Sequence, residues 1–261
     1  MNKKQIIKLY KKDKKSIPEV AKLNKWTIRK MRKFLIDNGI WEPRTNSDYP
    51  IYKNKNVNFF DKIDSEAKAY FLGLIITNGC ISKKDNNISI SLQERDGYVL
   101  DKFSDEVYKE NIVKFVDKQN DKDGKKRQNQ KRLIIVSKHM KDTLMSYGIT
   151  PNKWATGKFP TCAIPSRLFH HFTRGCIDGD GSISVDRRHS IISLIGSPIF
   201  IEKFKIKLDN LGFPFTLKEE NRTTKQLKYL LCCRKDENKK FCAWLYNGAT
   251  IFLKRKKPNF N

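Results

Sequence analysis

Acidic side chains are scarce in this sequence: 28 Asp and Glu stand against 54 Lys and Arg, for a formal charge of +26. Coding drift toward lysine and asparagine can raise basicity, but a surplus of this size points to a polyanionic partner, most simply nucleic acid. Long apolar runs are missing as well. No stretch approaches the ~20 residues that a helical membrane span requires. The opening Met1-Asn2-Lys3-Lys4 leads into a basic amphipathic stretch rather than a signal peptide. The expectation is an intracellular protein with no membrane partner, in the cytoplasm or nucleoid, or in an organelle if organelle-encoded. None of the six cysteines forms a Cys-x-x-Cys pair, which leaves zinc ribbons and fingers without support. The four histidines have no metal-ligand spacing, which argues against a histidine-centred nuclease.

Hydrophobic residues make up 38% of the chain and aromatic residues 11%, enough for a folded core. Residues 1–41 read as a small all-α module of three short helices. Ile6, Ile7 and Tyr10 share a face. Ser16 caps a second helix carrying Ile17, Val20, Ala21 and Leu23 inward. After a turn at Asn24-Lys25-Trp26, Thr27 caps a third helix with Ile28, Met31 and Leu35 inward and Arg29, Lys30, Arg32 and Lys33 outward. Two short helices about a tight turn, the second rich in base, form the pattern of a helix-turn-helix. Thr27, Arg29, Lys30, Arg32 and Lys33 are its candidate DNA contacts. Residues 42–64, with Pro43 and Pro50, read as a linker.

From Ser65 onward a layout recurs: a helix, two strands, a helix, two strands and a helix, once in residues 65–158 and again in residues 159–261. The expected class is α+β, with two pseudo-symmetric αββαββα repeats packed through their first helices and saddle-shaped antiparallel sheets. Gly73 and Gly175 fall inside those first helices. Glycine there costs about 1 kcal/mol against alanine, which close helix approach would offset. One sheet face is expected on the core. The other, carrying Ser89, Ser91, Gln93, Lys131, Ser190, Ser193, Lys225 and Lys228, is the candidate DNA-reading face.

The first helices end alike, in Leu72-Gly73-Leu74-Ile75-Ile76-Thr77-Asn78-Gly79 and in Thr173-Arg174-Gly175-Cys176-Ile177-Asp178-Gly179-Asp180-Gly181. A carboxylate at a helix C-terminus sits at the negative end of the dipole and calls for a cation nearby. Asp178 is read as ending the helix or touching its partner helix.

These motifs, the strand ending at Gln93, the segment Tyr147-Gly148-Ile149-Thr150-Pro151-Asn152-Lys153 and the closing Leu253-Lys254-Arg255-Lys256 together resemble the LAGLIDADG homing endonucleases of the single-chain, two-motif type. The likeness runs from about residue 66 to 257 and leaves the N-terminal module outside it. It implies a monomeric, Mg²⁺-dependent (or Mn²⁺-dependent) endonuclease that cuts long double-stranded DNA targets, as an agent of intron or intein mobility. It implies metal ligation by Asp180, by the residue at Asn78 and by the Gly179 carbonyl. It also implies that Lys153 and Lys256 lie near the scissile phosphates and that Gln93 positions a water. Asn78 departs from the acidic residue usual there, having lost the charge and half the ligand capacity. Impaired cleavage, strand-biased cleavage and a form altered to bind without cutting all stay open. So do two other classes: a non-catalytic DNA-binding regulator and a maturase that binds its intron RNA.

Overall fold

The computed structural model describes residues 2–13, 15–41, 55–116, 128–151, 158–162, 164–185, 190–219, 228–232 and 234–258, with the side chains of Lys228, Tyr229 and Leu231 outside the description. The chain divides into two compact units, residues 1–55 and 56–261.

In the first unit, α1 (Lys3–Ile7) runs on as a π-helical turn (Lys8–Lys12), followed by α2 (Ile17–Leu23) and α3 (Ile28–Asp37). Each start is capped by its sequence. Asn2 and Gln5 exchange side-chain bonds with each other's backbone, as do Ser16 and Glu19, and Thr27 Oγ1 accepts the Lys30 N–H at 3.2 Å. Ile6, Tyr10, Val20, Ala21, Met31, Leu35 and Ile40 form the core. Two residues expected in it are exposed, Leu23 at 54% and Ile28 at 53%. They are the last residue of α2 and the first of α3, so both overhang the short turn instead of the helix contact. Thr27, Arg29, Lys30, Arg32 and Lys33 are all exposed.

The second unit begins earlier than the linker reading allows. Phe59, Phe60 and Ile63 are buried, both phenylalanines lie against Phe103, and the Asn56 N–H bonds the Val107 carbonyl at 2.7 Å. Residues 56–64 are therefore part of this unit, because three large apolar side chains in that stretch find a core to enter. Residues 42–54 lie outside the described residues.

Repeat 1 consists of α4 (Glu66–Asn78), β1 (Gly79–Ile81), β2 (Asn87–Gln93), α5 (Tyr98–Tyr108), β3 (Lys114–Val116), β4 (Gln130–Val136) and α6 (Lys138–Ser146). Repeat 2 repeats the order as α7 (Phe169–Asp180), β5 (Gly181–Val185), β6 (Ser190–Gly196), α8 (Pro198–Asp209), β7 (Thr216–Glu219), β8 (Lys228–Cys232) and α9 (Lys235–Leu245). The sheets run β1-β2-β4-β3 and β5-β6-β8-β7, antiparallel throughout. Along β2, Ile88, Ile90 and Leu92 are buried and the intervening residues are not, the period-2 signature of a half-covered sheet.

α4 and α7 are buried around most of their circumference because each packs on a sheet and on the other. Gly73 and Gly175 make that approach possible. A Cβ on Gly175 would overlap the Tyr70 carbonyl and come within 3.0 Å of the Leu74 nitrogen, and one on Gly73 would overlap the Phe172 carbonyl. Backbone cannot swing aside as a side chain can, so Gly175→Ala is expected to lower stability by about 2 kcal/mol despite alanine's better helix propensity. Urea unfolding reads the loss directly; an unchanged midpoint would show that the helices can separate at no cost.

Candidate active site

The crossing of α4 and α7 brings their C-terminal ends together. A Cβ on Gly179 would run into the Thr77 side chain and stand 3.3 Å from Asn78 Oδ1. Thr77 is held by its hydroxyl donating to the Gly73 and Leu74 carbonyls at 3.0 and 3.2 Å. Asn78 is half-buried, and Asp180, one residue beyond Gly179, is exposed. Two oxygen-bearing side chains thus mark the point where both helices stop and both sheets begin.

The cation called for by the Asp180 helix end is Lys256. Its Nζ donates to the carbonyls of Ile177, Asp178 and Gly181, each at 2.8 Å, which uses all three ammonium protons. Ile177 and Asp178 lie in the last turn, where carbonyls run short of intrahelical donors, and Ile177 accepts the Gly181 N–H as well. The Gly179 carbonyl is not among the Lys256 acceptors. Burial pulls the Lys256 pKa down to about 8, against the upward pull of Asp178. Lys256, expected near a scissile phosphate, is 8% exposed and has its three donors committed to main-chain carbonyls, so its ammonium holds the helix end and is not a free surface charge.

Lys256 is delivered by residues 250–256, which cross onto repeat 1. The Lys254 N–H bonds Tyr98 Oη at 2.6 Å, Tyr98 Oη donates to the Phe252 carbonyl at 3.0 Å, and Arg255 Nε reaches buried Asp96 at 2.9 Å. Asp178, as expected of a residue that touches the partner helix, accepts from Tyr70 Oη at 2.7 Å and from the Leu253 N–H at 2.8 Å. Its other oxygen has no partner, and burial pushes its carboxyl up to about 6.

At the opposite end of the helix pair lies a set of groups the sequence reading missed. Fully buried Arg174 pairs with Glu66, donates to the Ile251 and Leu245 carbonyls at 2.8 and 2.7 Å, and lies 2.8 Å from His171 Nδ1. Glu66 also accepts the N–H groups of Thr250 and Ile251. Burial lowers the His171 pKa to about 4, so the ring is neutral beside the guanidinium. An arginine in the middle of an otherwise buried helix was the visible signal.

Ser89, Ser91 and Gln93 lie on the less buried face of β2, and Ser193 lies on that of β6, as expected. Two other residues of the sheet reading are corrected. Lys131 shares the parity of buried Leu133 and Ile135, and its ammonium is bound to Asp101 of α5 at 2.8 Å on the helix-covered side. Arg132 takes the outward position, its Nε donating to Ser91 Oγ at 2.9 Å. Ser190 is 1% exposed, in phase with Ile192 and Leu194, and accepts from Asn238 Nδ2. In both strands the alternation outranks residue polarity. Gln93 closes the β2 ladder opposite Gln130, and its Oε1 has no partner. Lys153 and Lys225 lie outside the described residues, and of Lys228 only the backbone is described, paired with Gly196 and Glu219.

Among the described residues, no group of three or more His, Cys, Asp or Glu side chains is placed to hold a metal ion. The donor set at the helix ends is one carboxylate (Asp180), one amide oxygen (Asn78) and the Gly179 carbonyl, all hard oxygen ligands. That set suits a magnesium-like cation, with one charge where a paired acid would give two.

The raised Asp178 carboxyl sets a pH dependence. Between its ordinary value near 4 and about 6, the folded state holds a proton that the unfolded state has released, so stability falls as pH rises through that window. Urea midpoints at pH 4.5 and 7 should therefore separate more for the native chain than for Asp178→Asn, by on the order of 2 kcal/mol. Parallel pH profiles would show that the carboxyl titrates normally.

The LAGLIDADG-like domain family matches residues 171–244. No curated protein matches the chain. Among solved structures, the K262A mutant of I-SmaMI is 11% identical with a TM-score of 0.46, covering 72% of this chain and 86% of that one. The N-terminal LAGLIDADG domain of DUF199/WhiA is 16% identical with a TM-score of 0.45, covering 82% and 96%. The meganuclease I-AabMI bound to uncleaved DNA is 13% identical with a TM-score of 0.47, covering 72% and 86%. The family match thus falls on the second repeat, from its motif helix through α9, and makes that segment similar to a LAGLIDADG-like domain.

Proposed function

We propose that the protein is a site-specific DNA-binding endonuclease that hydrolyses phosphodiester bonds of a long duplex, with cleavage weakened or biased to one strand by Asn78. The observation that carries this reading is the meeting of the ends of two crossed helices, where Thr77 and Asn78 lie against Gly179, the residue before Asp180, with a sheet starting from each end. The LAGLIDADG-like match of repeat 2 and the charge of +26 support it.

Asp180, Asn78 and the Gly179 carbonyl are the groups that would hold Mg²⁺ or Mn²⁺. Such an ion, when bound, supplies an activated water and neutralises charge on the phosphate and leaving oxygen. The chain's own residues fix the geometry. Lys256 and Asp178 anchor the α7 end, Thr77 packs against Gly179, and the glycine crossing sets the separation of the helix ends. Gln93, whose amide oxygen has no partner among the described residues, is suited to orient a water. The outward residues Ser89, Ser91, Arg132 and Ser193 would face the major groove, which admits a β-ribbon and displays a distinct donor and acceptor pattern for each base pair. In the first unit, exposed Thr27, Arg29, Lys30, Arg32 and Lys33 give α3 the character of a helix-turn-helix recognition helix.

Supercoiled plasmid carrying a selected target, incubated with Mg²⁺ or Mn²⁺, tests the reading. Asp180→Asn is expected to abolish cutting and to leave duplex affinity within a few-fold. Asn78→Asp is expected to raise double-strand cutting at least ~10-fold, equivalent to ~1.4 kcal/mol of barrier. Absence of metal-dependent cutting in both the native chain and Asn78→Asp would instead assign the fold to DNA binding alone.

A further inference from the structure

The two sheets contain register-equivalent cross-strand rows, and the residues of the two rows differ in chemistry. In repeat 1 the row is Ser91, Arg132 and Lys114, paired in register across β2, β4 and β3. The ladders start alike, with Gly79 opposite Ile90 and Gly181 opposite Leu194. Counting outward by one position, Ile195 stands where Ser91 stands. Tyr229 and Lys218 then occupy the places of Arg132 and Lys114.

Arg132 is half-buried, and the bond from its Nε to Ser91 Oγ is its one hydrogen bond among the described residues. A guanidinium held at Nε keeps its two terminal amino groups as a planar donor pair, already ordered before any ligand arrives. The base edge that matches such a pair is guanine, through O6 and N7. The counterpart row offers neither the arginine nor, at Ile195, a hydroxyl to align one.

Resting on the reading of the sheets as duplex-facing surfaces, we propose that Arg132, aligned by Ser91, specifies one guanine in the half of the target beneath repeat 1. The symmetry-related position beneath repeat 2 specifies no guanine. The site is therefore non-palindromic at this base pair. Lys114, exposed beside Arg132 on the outer strand, suits a phosphate rather than a base.

Selecting bound duplexes from a randomised pool, with the native chain, Arg132→Ala and Ser91→Ala, tests this. The native chain should return a guanine fixed in one half only. Arg132→Ala should lose selectivity at that position and bind the selected duplex about 10- to 100-fold more weakly. Its affinity for a duplex altered at that base pair should hardly change, and Ser91→Ala should relax the same position by a few-fold. Uniform weakening toward all duplexes, with a salt slope shallower by about one, would make Arg132 a phosphate contact and overturn the proposal. A guanine fixed at the mirror position in the other half would overturn its second part. Failure of the native chain to select any duplex would sink the underlying reading as well, and so is distinguishable from failure of this one.

Discussion

A buried ammonium under the carboxyl end of a helix is the interaction on which the rest of the site depends. α7 points its negative pole and Asp180 at the same spot, and without compensation the last turn would fray toward water. Lys256 fills three carbonyls there, and the main chain that carries it also gives the Leu253 N–H to Asp178. The price is desolvation of an ammonium and a carboxylate, visible in a lysine pulled down and an aspartate pushed up. For buried charges of this kind the desolvation penalty can match or exceed the Coulombic gain.

The second constraint is backbone-to-backbone contact at Gly73 and Gly175. It fixes how far apart the helix ends stand, and therefore how Asn78 meets Gly179. Everything outside that pair can vary between the repeats, and does. Repeat 1 ends its helix in an amide and repeat 2 in an acid. One sheet row holds an arginine aligned by a serine, while its counterpart holds an isoleucine in the serine's place. A pseudo-symmetric frame with asymmetric contents suits recognition of a target whose halves differ.

The architecture was legible because the motif helices are apolar runs with internal glycine and the strands alternate strictly. The errors have particular causes. Lys131 and Ser190 were read by polarity when their parity with Leu133 and Ile192 already turned them inward; a partner on the covered side, Asp101 or Asn238, makes a polar group acceptable there. Phe59, Phe60 and Ile63 were overlooked amid basic, asparagine-rich sequence, although three large apolar residues in so short a stretch rarely stay in water. The role of Lys256 was not legible at all. Its acceptors are backbone carbonyls more than seventy residues away, and main-chain groups leave no mark in composition.

Residues 250–256 touch Glu66, Tyr98, Asp96 and Asp178, partners drawn from both repeats. On a ribosome they emerge after every other part of the site has been made. Until then the end of α7 lacks the Lys256 ammonium, Arg174 lacks the Ile251 carbonyl, and Glu66 lacks its amides. These long-range contacts are the kind that form late in folding. A nascent chain therefore holds both motif helices before it holds the contacts that fix their ends.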